Sequence, residues 1–311
     1  MAKVTNSFTT YDSTADREDL SNFIYNISPS DTPFMSAIGR RNVNNVTFDY
    51  QTESLPAVST TAEVEGFELS RSAATATVRQ SGICQIMKVD ATVTGTQEAS
   101  NAAGKSSEMA HQMAIASKAL KRNLEKVLTA NQAQNAGNNT TARATRGLEA
   151  WLSSNVSRGT NGTSSTGPTD AANDGTQRAF TEALLKATLQ TCYTNGAEPS
   201  IILVGPNGKQ TVSGFTGRSS ARQMIDEQKI EAAVAIYSSD FGEMKVVPSR
   251  WSRDRTALLI DPEYAATAFF RPFHRKAIAD VGDASTSMIV VEAGLECKNE
   301  AAHGVVADLT T

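Results

Sequence analysis

Residues 46–94 read VTFDYQTESLPAVSTTAEVEGFELSRSAATATVRQSGICQIMKVDATVT, and the fold turns on how this stretch is taken. Val46, Phe48 and Tyr50 alternate with Thr47, Asp49 and Gln51, the period of two that marks a half-buried strand. A return strand alternates less cleanly through Ala74, Ala76 and Val78, then again through Met87, Val89, Ala91 and Val93. Between them, residues 53–73 carry Pro56, Gly66 and the carboxylates Glu53, Glu63, Glu65 and Glu68. The stretch is therefore expected to form one long β-hairpin with an acidic, exposed tip. A two-stranded hairpin is marginal in water unless a third strand or a helix covers it.

What precedes the hairpin offers no cover. Residues 1–41 are polar and lack a sustained hydrophobic period, and Pro29 and Pro33 disfavour helix at the residues before them. Ordering this many residues costs roughly 1–2 kcal/mol each in backbone entropy, which only buried surface can offset. Forty extended residues reach on the order of 130 Å, enough to cross a neighbour. The expectation is that other copies of the chain cover the first ~95 residues. Residues 1–41 would then serve assembly and contribute little to the subunit core.

A helical period follows. Met109, Met113, Ala116, Leu120, Leu124, Val127 and Leu128 recur at spacings of three and four, with Lys118, Lys121, Arg122, Glu125 and Lys126 mostly on other faces. This predicts one long helix over 105–132, roughly 42 Å at 1.5 Å per residue. After a Gly/Ser/Thr/Asn-rich loop at 153–177, Phe180, Leu184, Leu185, Thr188 and Cys192 mark a second helix, stopped at Asn195-Gly196. Residues 200–204 read as a buried strand. Further strands are expected at 234–237, 245–247, 256–260, 264–270 and 287–297, with Asp261-Pro262 as a turn.

Composition narrows the function. A chain of 311 residues with 40% hydrophobic and 20% charged content is ordinary for a globular protein. A formal charge of −4 argues against a dedicated nucleic-acid binder. Arg40-Arg41 and the Arg250, Arg253, Arg255 group read as loop or interface arginines. Cys84, Cys192 and Cys297 form no CxxC pair and read as buried or free thiols in a reducing compartment. The opening MAKVTNSFTT has no signal-peptide core and no apolar run approaches membrane-spanning length, so the chain is expected in the cytosol at synthesis.

The chemistry-bearing motifs fail one by one. Gly205-Pro206-Asn207-Gly208-Lys209 follows a strand, but a phosphate-binding loop needs Gly five residues before Gly208, where Leu203 stands, and a hydroxyl where Gln210 stands. His111 has Ile115 at i+4, and His274 and His303 are far from it in sequence. No Gly-x-Ser-x-Gly elbow occurs, and the Asp226/Glu227 pair carries no catalytic weight alone. No catalytic, cofactor-binding or metal-ligating residue is assigned, and no cofactor is expected.

The order of parts is specific: extended arm, acidic-tipped hairpin, one long helix, a loop-rich α/β region, then closing strands. It resembles the major capsid (major head) protein of tailed bacteriophages, an α+β chain of the Hong Kong-97-like fold. Arg146-Gly147-Leu148-Glu149-Ala150-Trp151-Leu152, Cys192-Tyr193-Thr194-Asn195-Gly196, Ile201-Ile202-Leu203-Val204-Gly205-Pro206 and Ile289 to Lys298 carry the closer likeness to phage major head proteins. The resemblance implies an N-terminal arm at 1–45, an extended β-hairpin loop at 46–94, and a peripheral domain with a spine helix at 95–150. It also implies a mainly axial domain at 151–265 and closing strands of both domains at 266–311.

On this resemblance the chain is no enzyme. The resemblance implies self-assembly through pentamers and hexamers into an icosahedral head around double-stranded DNA held without sequence-specific binding. Scaffold, portal and decoration proteins are the implied partners, no membrane is involved, and the places are the host cytoplasm during assembly and then the virion capsid. No charged, coiled-coil-like segment precedes the arm, which implies a separate scaffold or none. Residues 42–87 contain no lysine, so a lysine–asparagine cross-link on the hairpin is not expected. The glycine-bearing loop at 206–232, with Gly208, Gly214, Gly217 and Arg218, is expected near the ring axes. A cellular nanocompartment shell (encapsulin-like) of the same fold is the alternative, with an α/β enzyme behind it.

Overall fold

The computed structural model describes residues 29–53, 58, 60–68, 76–100, 105–215, 236–280 and 282–311. In chain order the elements are α1 (Pro33–Ala37), β1 (Gly39–Asn42), β2 (Thr47–Thr52), β3 (Val78–Ile83), β4 (Gln85–Thr94), α2 (Gly95–Ala99) and α3 (Glu108–Thr129). Then come α4 (Leu148–Trp151), β5 (Val156–Ser157), α5 (Glu182–Thr194), β6 (Ile201–Val204), α6 (Pro206–Ser213), β7 (Ile236–Ser239) and β8 (Gly242–Pro248). The chain closes with β9 (Ala257–Ile260), β10 (Ala265–Ile278), β11 (Ala284–Cys297) and β12 (Gly304–Val306).

The long helix forms where the period places it, and its start is capped twice. Ser107 Oγ accepts the Ala110 amide at 3.2 Å, while the Glu98 carboxylate accepts the Glu108 and Met109 amides at 3.0 and 3.1 Å. Those bonds satisfy donors that a helix N-terminus leaves open. Leu120, Leu124 and Leu128 are fully buried. The helix packs on β4 and β11 of a four-stranded sheet ordered β1-β10-β11-β4. A six-stranded sheet, β5-β12-β9-β6-β8-β7, is covered on both faces. Leu203, Leu258, Ile260 and Val305 join the core of α3 and α4, while Ile202, Val204, Leu259 and Val306 face Leu185, Leu189, Cys192 and Val212.

Three expectations need correcting. First, the hairpin is shorter than 46–94. Thr47–Thr52 pairs with Val78–Ile83 as a separate two-stranded sheet, and the chain turns at Cys84 so that β4 pairs with β11 instead. The alternation through Met87, Val89, Ala91 and Val93 is real but belongs to another sheet, which a period of two cannot reveal. Second, residues 29–43 are not peripheral to folding. Phe34, Met35 and Ile38 lie in the main core at 1%, 5% and 5% exposure, and β1 adds to β10 in parallel. The signal was missed because a five-residue helix and a four-residue strand are too short to show a period.

Third, Glu125 does not face solvent. Its carboxylate is buried and accepts the Phe34 amide at 2.6 Å and the Met35 amide at 2.8 Å, tying this segment to α3. Burial pushes its carboxyl above the usual range, against the pull of those two amides. Strand β10 also runs on to Ile278, beyond the expected 264–270. Pro272 sits in a register irregularity between Arg271 and His274, where a strand tolerates proline. The expectations for Gly217, Arg218, Asp226, Glu227 and Ala74, and for residues 1–28, lie outside the described residues.

Candidate assembly surfaces

The described tip of the hairpin is a built turn. The Phe67 amide donates to the Val64 carbonyl at 3.1 Å, and Gly66 takes φ +84, the third position of a turn that favours glycine. This holds Val64 and Phe67 side by side at 75% and 54% exposure, with Glu63, Glu65 and Glu68 exposed around them. Val58 is 98% exposed. Scattered surface apolar residues are normal, but an apolar pair held on one turn among exposed carboxylates is a candidate contact surface.

The root of the hairpin is the opposite. Phe48 is buried with Val43, Cys84 and Ala268, and Tyr50 donates its hydroxyl to the Cys297 carbonyl at 2.6 Å. Arg79 pairs with Asp49 across the strands. On α3, the side turned away from the core presents Ile115, Lys118, Lys121 and Lys126. The chain thus offers an acidic loop and an exposed basic helix face.

Of the arginine group expected as loop or interface residues, Arg253 and Arg255 are structural, while Arg250 is exposed. Arg253 donates from one nitrogen to both oxygens of the fully buried Glu149, at 3.0 Å each, and reaches Asp174 at 2.5 Å. Arg255 pairs with Asp308 at 2.9 Å. Burial pushes the Glu149 carboxyl up, while Arg253 and Arg158 pull it down. Burial works in the same upward direction on Asp308, but the Gly159 and Gly175 amides and Arg255 hold it below the usual carboxylate range.

The stretch from Gly205 to Lys209 forms the start of a helix. Helix α6 starts on Pro206, and Lys209 Nζ donates to the Val246 carbonyl at 2.8 Å. His303 is fully buried, with Nδ1 accepting the Asp261 amide at 3.2 Å, and burial drives its pKa down to about 4. The three thiols are buried, and burial pushes Cys84 up to about 11 and Cys192 up to about 12, away from reactive thiolate chemistry. Among the described residues no group of three or more His, Cys, Asp or Glu could hold a metal ion, and no helix is long and apolar enough to cross a membrane.

Comparison with known proteins agrees with this architecture. The family model described as SU10 major capsid protein matches residues 3–310. The major capsid protein of Escherichia phage Phieco32 is 27% identical over 338 residues, covering 96% of this chain and 96% of that one. Among solved structures, the Cyanophage A-1(L) capsid asymmetric unit aligns at TM-score 0.72 and 14% identity over 98% of this chain and 100% of that one. The capsid of a native GTA particle aligns at TM-score 0.65 and 11% identity, over 97% and 98%. At such identities these structures speak for the fold, which is the Hong Kong-97-like capsid fold.

Proposed function

Because the chain belongs to the SU10 major capsid protein family, shell subunits and not enzymes, we propose that its icosahedral shell closes through pentamers and hexamers around packaged double-stranded DNA. Head-to-tail contacts that rotate and close make rings. The arm and the hairpin then lash neighbouring rings together. The DNA is held without base-specific contacts, in keeping with a net charge of −4. The shell is completed by a portal, with scaffold and decoration proteins supplied as separate chains.

Within the subunit, residues 1–45 act as the arm, of which 29–43 are its anchor. The extended loop occupies 46–94, its last ten residues already in the four-stranded sheet. Residues 95–150 with α3 as spine form the peripheral domain, 151–265 mainly the axial domain at the ring centres, and 266–311 close both. The observation that carries this reading is the hairpin tip, whose Val64 and Phe67 are exposed on a fixed turn. A second copy is the cover that assembly supplies.

The test is direct. The full chain is expressed, separated by size and imaged by negative-stain electron microscopy, with and without Val64→Asp/Phe67→Asp. Wild-type material is expected in the void volume as uniform closed shells. The double variant is expected to stop at subunits or single rings with an unchanged melting temperature. Closed shells of normal yield from the double variant would overturn the role of the tip.

A further inference from the structure

At the root of the hairpin β2–β3 lie three close contacts, one between its own two strands and two to the body, and two of them exist only because a glycine stands there. Gly82 pairs in register with Phe48, and a methyl group at 82 would fall 2.6 Å from Phe48 Cε2 and closer still to Cζ. The buried Phe48 ring therefore occupies the space that any other residue 82 would need. At Gly294 of β11, a methyl group would fall 2.6 Å from the Ile83 carbonyl oxygen. Here β3 crosses β11 backbone against backbone. The third contact is the Tyr50 hydroxyl on the Cys297 carbonyl at 2.6 Å.

Next to this mount the chain is held still. Gln85, the first residue of β4, accepts at its side-chain oxygen from Gln132 Nε2 at 2.9 Å and from the Thr145 amide at 3.2 Å. Thr145 Oγ1 in turn accepts the Leu295 amide at 3.1 Å, beside Gly294. A tilt of the hairpin cannot be absorbed by β4 and must pass to the tip. A six-residue strand is a lever of about 20 Å, so a tilt of about 10° at the root moves its far end by roughly 3–4 Å. That exceeds the tolerance of a hydrogen bond or a packed apolar contact.

We propose that Gly82, Gly294 and Tyr50 are positioning residues that set the angle at which the hairpin leaves its subunit. Through that angle they set the curvature at which neighbours join. The inference rests on the shell reading above. It assigns to the root a role distinct from that of the tip: the tip supplies the contact, and the root decides where it lands.

The full chain carrying Tyr50→Phe, Gly82→Ala or Gly294→Ala is assembled, and particle diameters are read by electron microscopy beside the melting temperature of the purified subunits. Tyr50→Phe removes one hydroxyl and no packing, so melting should stay within a few degrees of wild type. Its particles should spread over more than one diameter class. Gly82→Ala should do the same, and adding Phe48→Leu, which clears the ring from the site, should narrow the spread again. Gly294→Ala strikes backbone and is expected to block closure; if it fails to fold, the other two variants still decide. Wild-type diameters from both Tyr50→Phe and Gly82→Ala would overturn the inference while leaving the shell reading intact. A wild-type chain that forms no shells would overturn the shell reading itself.

Discussion

Cutting the chain at residue 41 removes a piece of the core, and cutting it at residue 28 leaves every contact described above in place. The difference can be sized. Phe34, Met35 and Ile38 are each at least 95% buried, and losing them forfeits about 1.5–3 kcal/mol apiece. Glu125 then loses two amide donors at 2.6 and 2.8 Å and is left a buried carboxylate without partners. Hydrogen bonds to a charged group contribute about 1.5–3 kcal/mol each. The total is comparable to the whole stability of a typical domain, about 5–15 kcal/mol. The chain lacking residues 1–41 should therefore be insoluble or molten, while the chain lacking residues 1–28 should melt cooperatively near the full-length temperature. Soluble yield, near-ultraviolet circular dichroism and thermal unfolding of the two truncations read this out. A soluble 42–311 chain with a wild-type melting transition would refute the reasoning.

Three further outcomes are expected. Leu120→Asp or Leu124→Asp places a charge at a fully buried position of α3 and should cost roughly 3–5 kcal/mol, seen as loss of soluble protein; normal yield would mean that the helix is not core. His303 is buried neutral with its pKa lowered from 6.5 to about 4, so its contribution is complete above pH ~6.5 and is lost as pH falls toward 4. That is about 2 kcal/mol in urea unfolding between neutral pH and pH 4.5, and His303→Gln should flatten the slope in that window. The capsid subunit of mature particles boiled in detergent without reductant should run as one band at 33.1 kDa, because residues 42–87 hold no lysine and Lys88 lies on β4 paired with Asp90 at 3.0 Å. A ladder of larger bands would reveal a cross-linking chemistry elsewhere.

The parts legible in sequence are those where one physical pattern runs long enough to repeat. The α3 stripe spans five helical turns, and Leu120, Leu124 and Leu128 are buried as the period requires. Gly196, at φ +83, ends α5 where the Asn-Gly pair predicted a stop. What stayed hidden depends on partners distant in the chain. Glu125 reads as one more charge on a charged helix until Phe34 and Met35 are placed against it. Cys84 gives no sign that the strand changes sheets, because alternation persists on both sides of the turn. Arg253 and Arg255 look like surface charge until Glu149, Asp174 and Asp308 arrive from elsewhere in the chain. The assembly surface was half legible: four glutamates and a glycine announced a tip, but only the turn shows Val64 and Phe67 held outward together.

The measurement that bears most directly on the account is a reconstruction of the assembled shell by electron cryomicroscopy, at a resolution that traces residues 60–68. The tip turn should lie against a neighbouring copy, with Val64 and Phe67 covered and the hairpin leaving its own subunit at the Phe48–Gly82 root. A tip folded back on its own subunit, with those two side chains still facing solvent in the closed shell, would contradict the account.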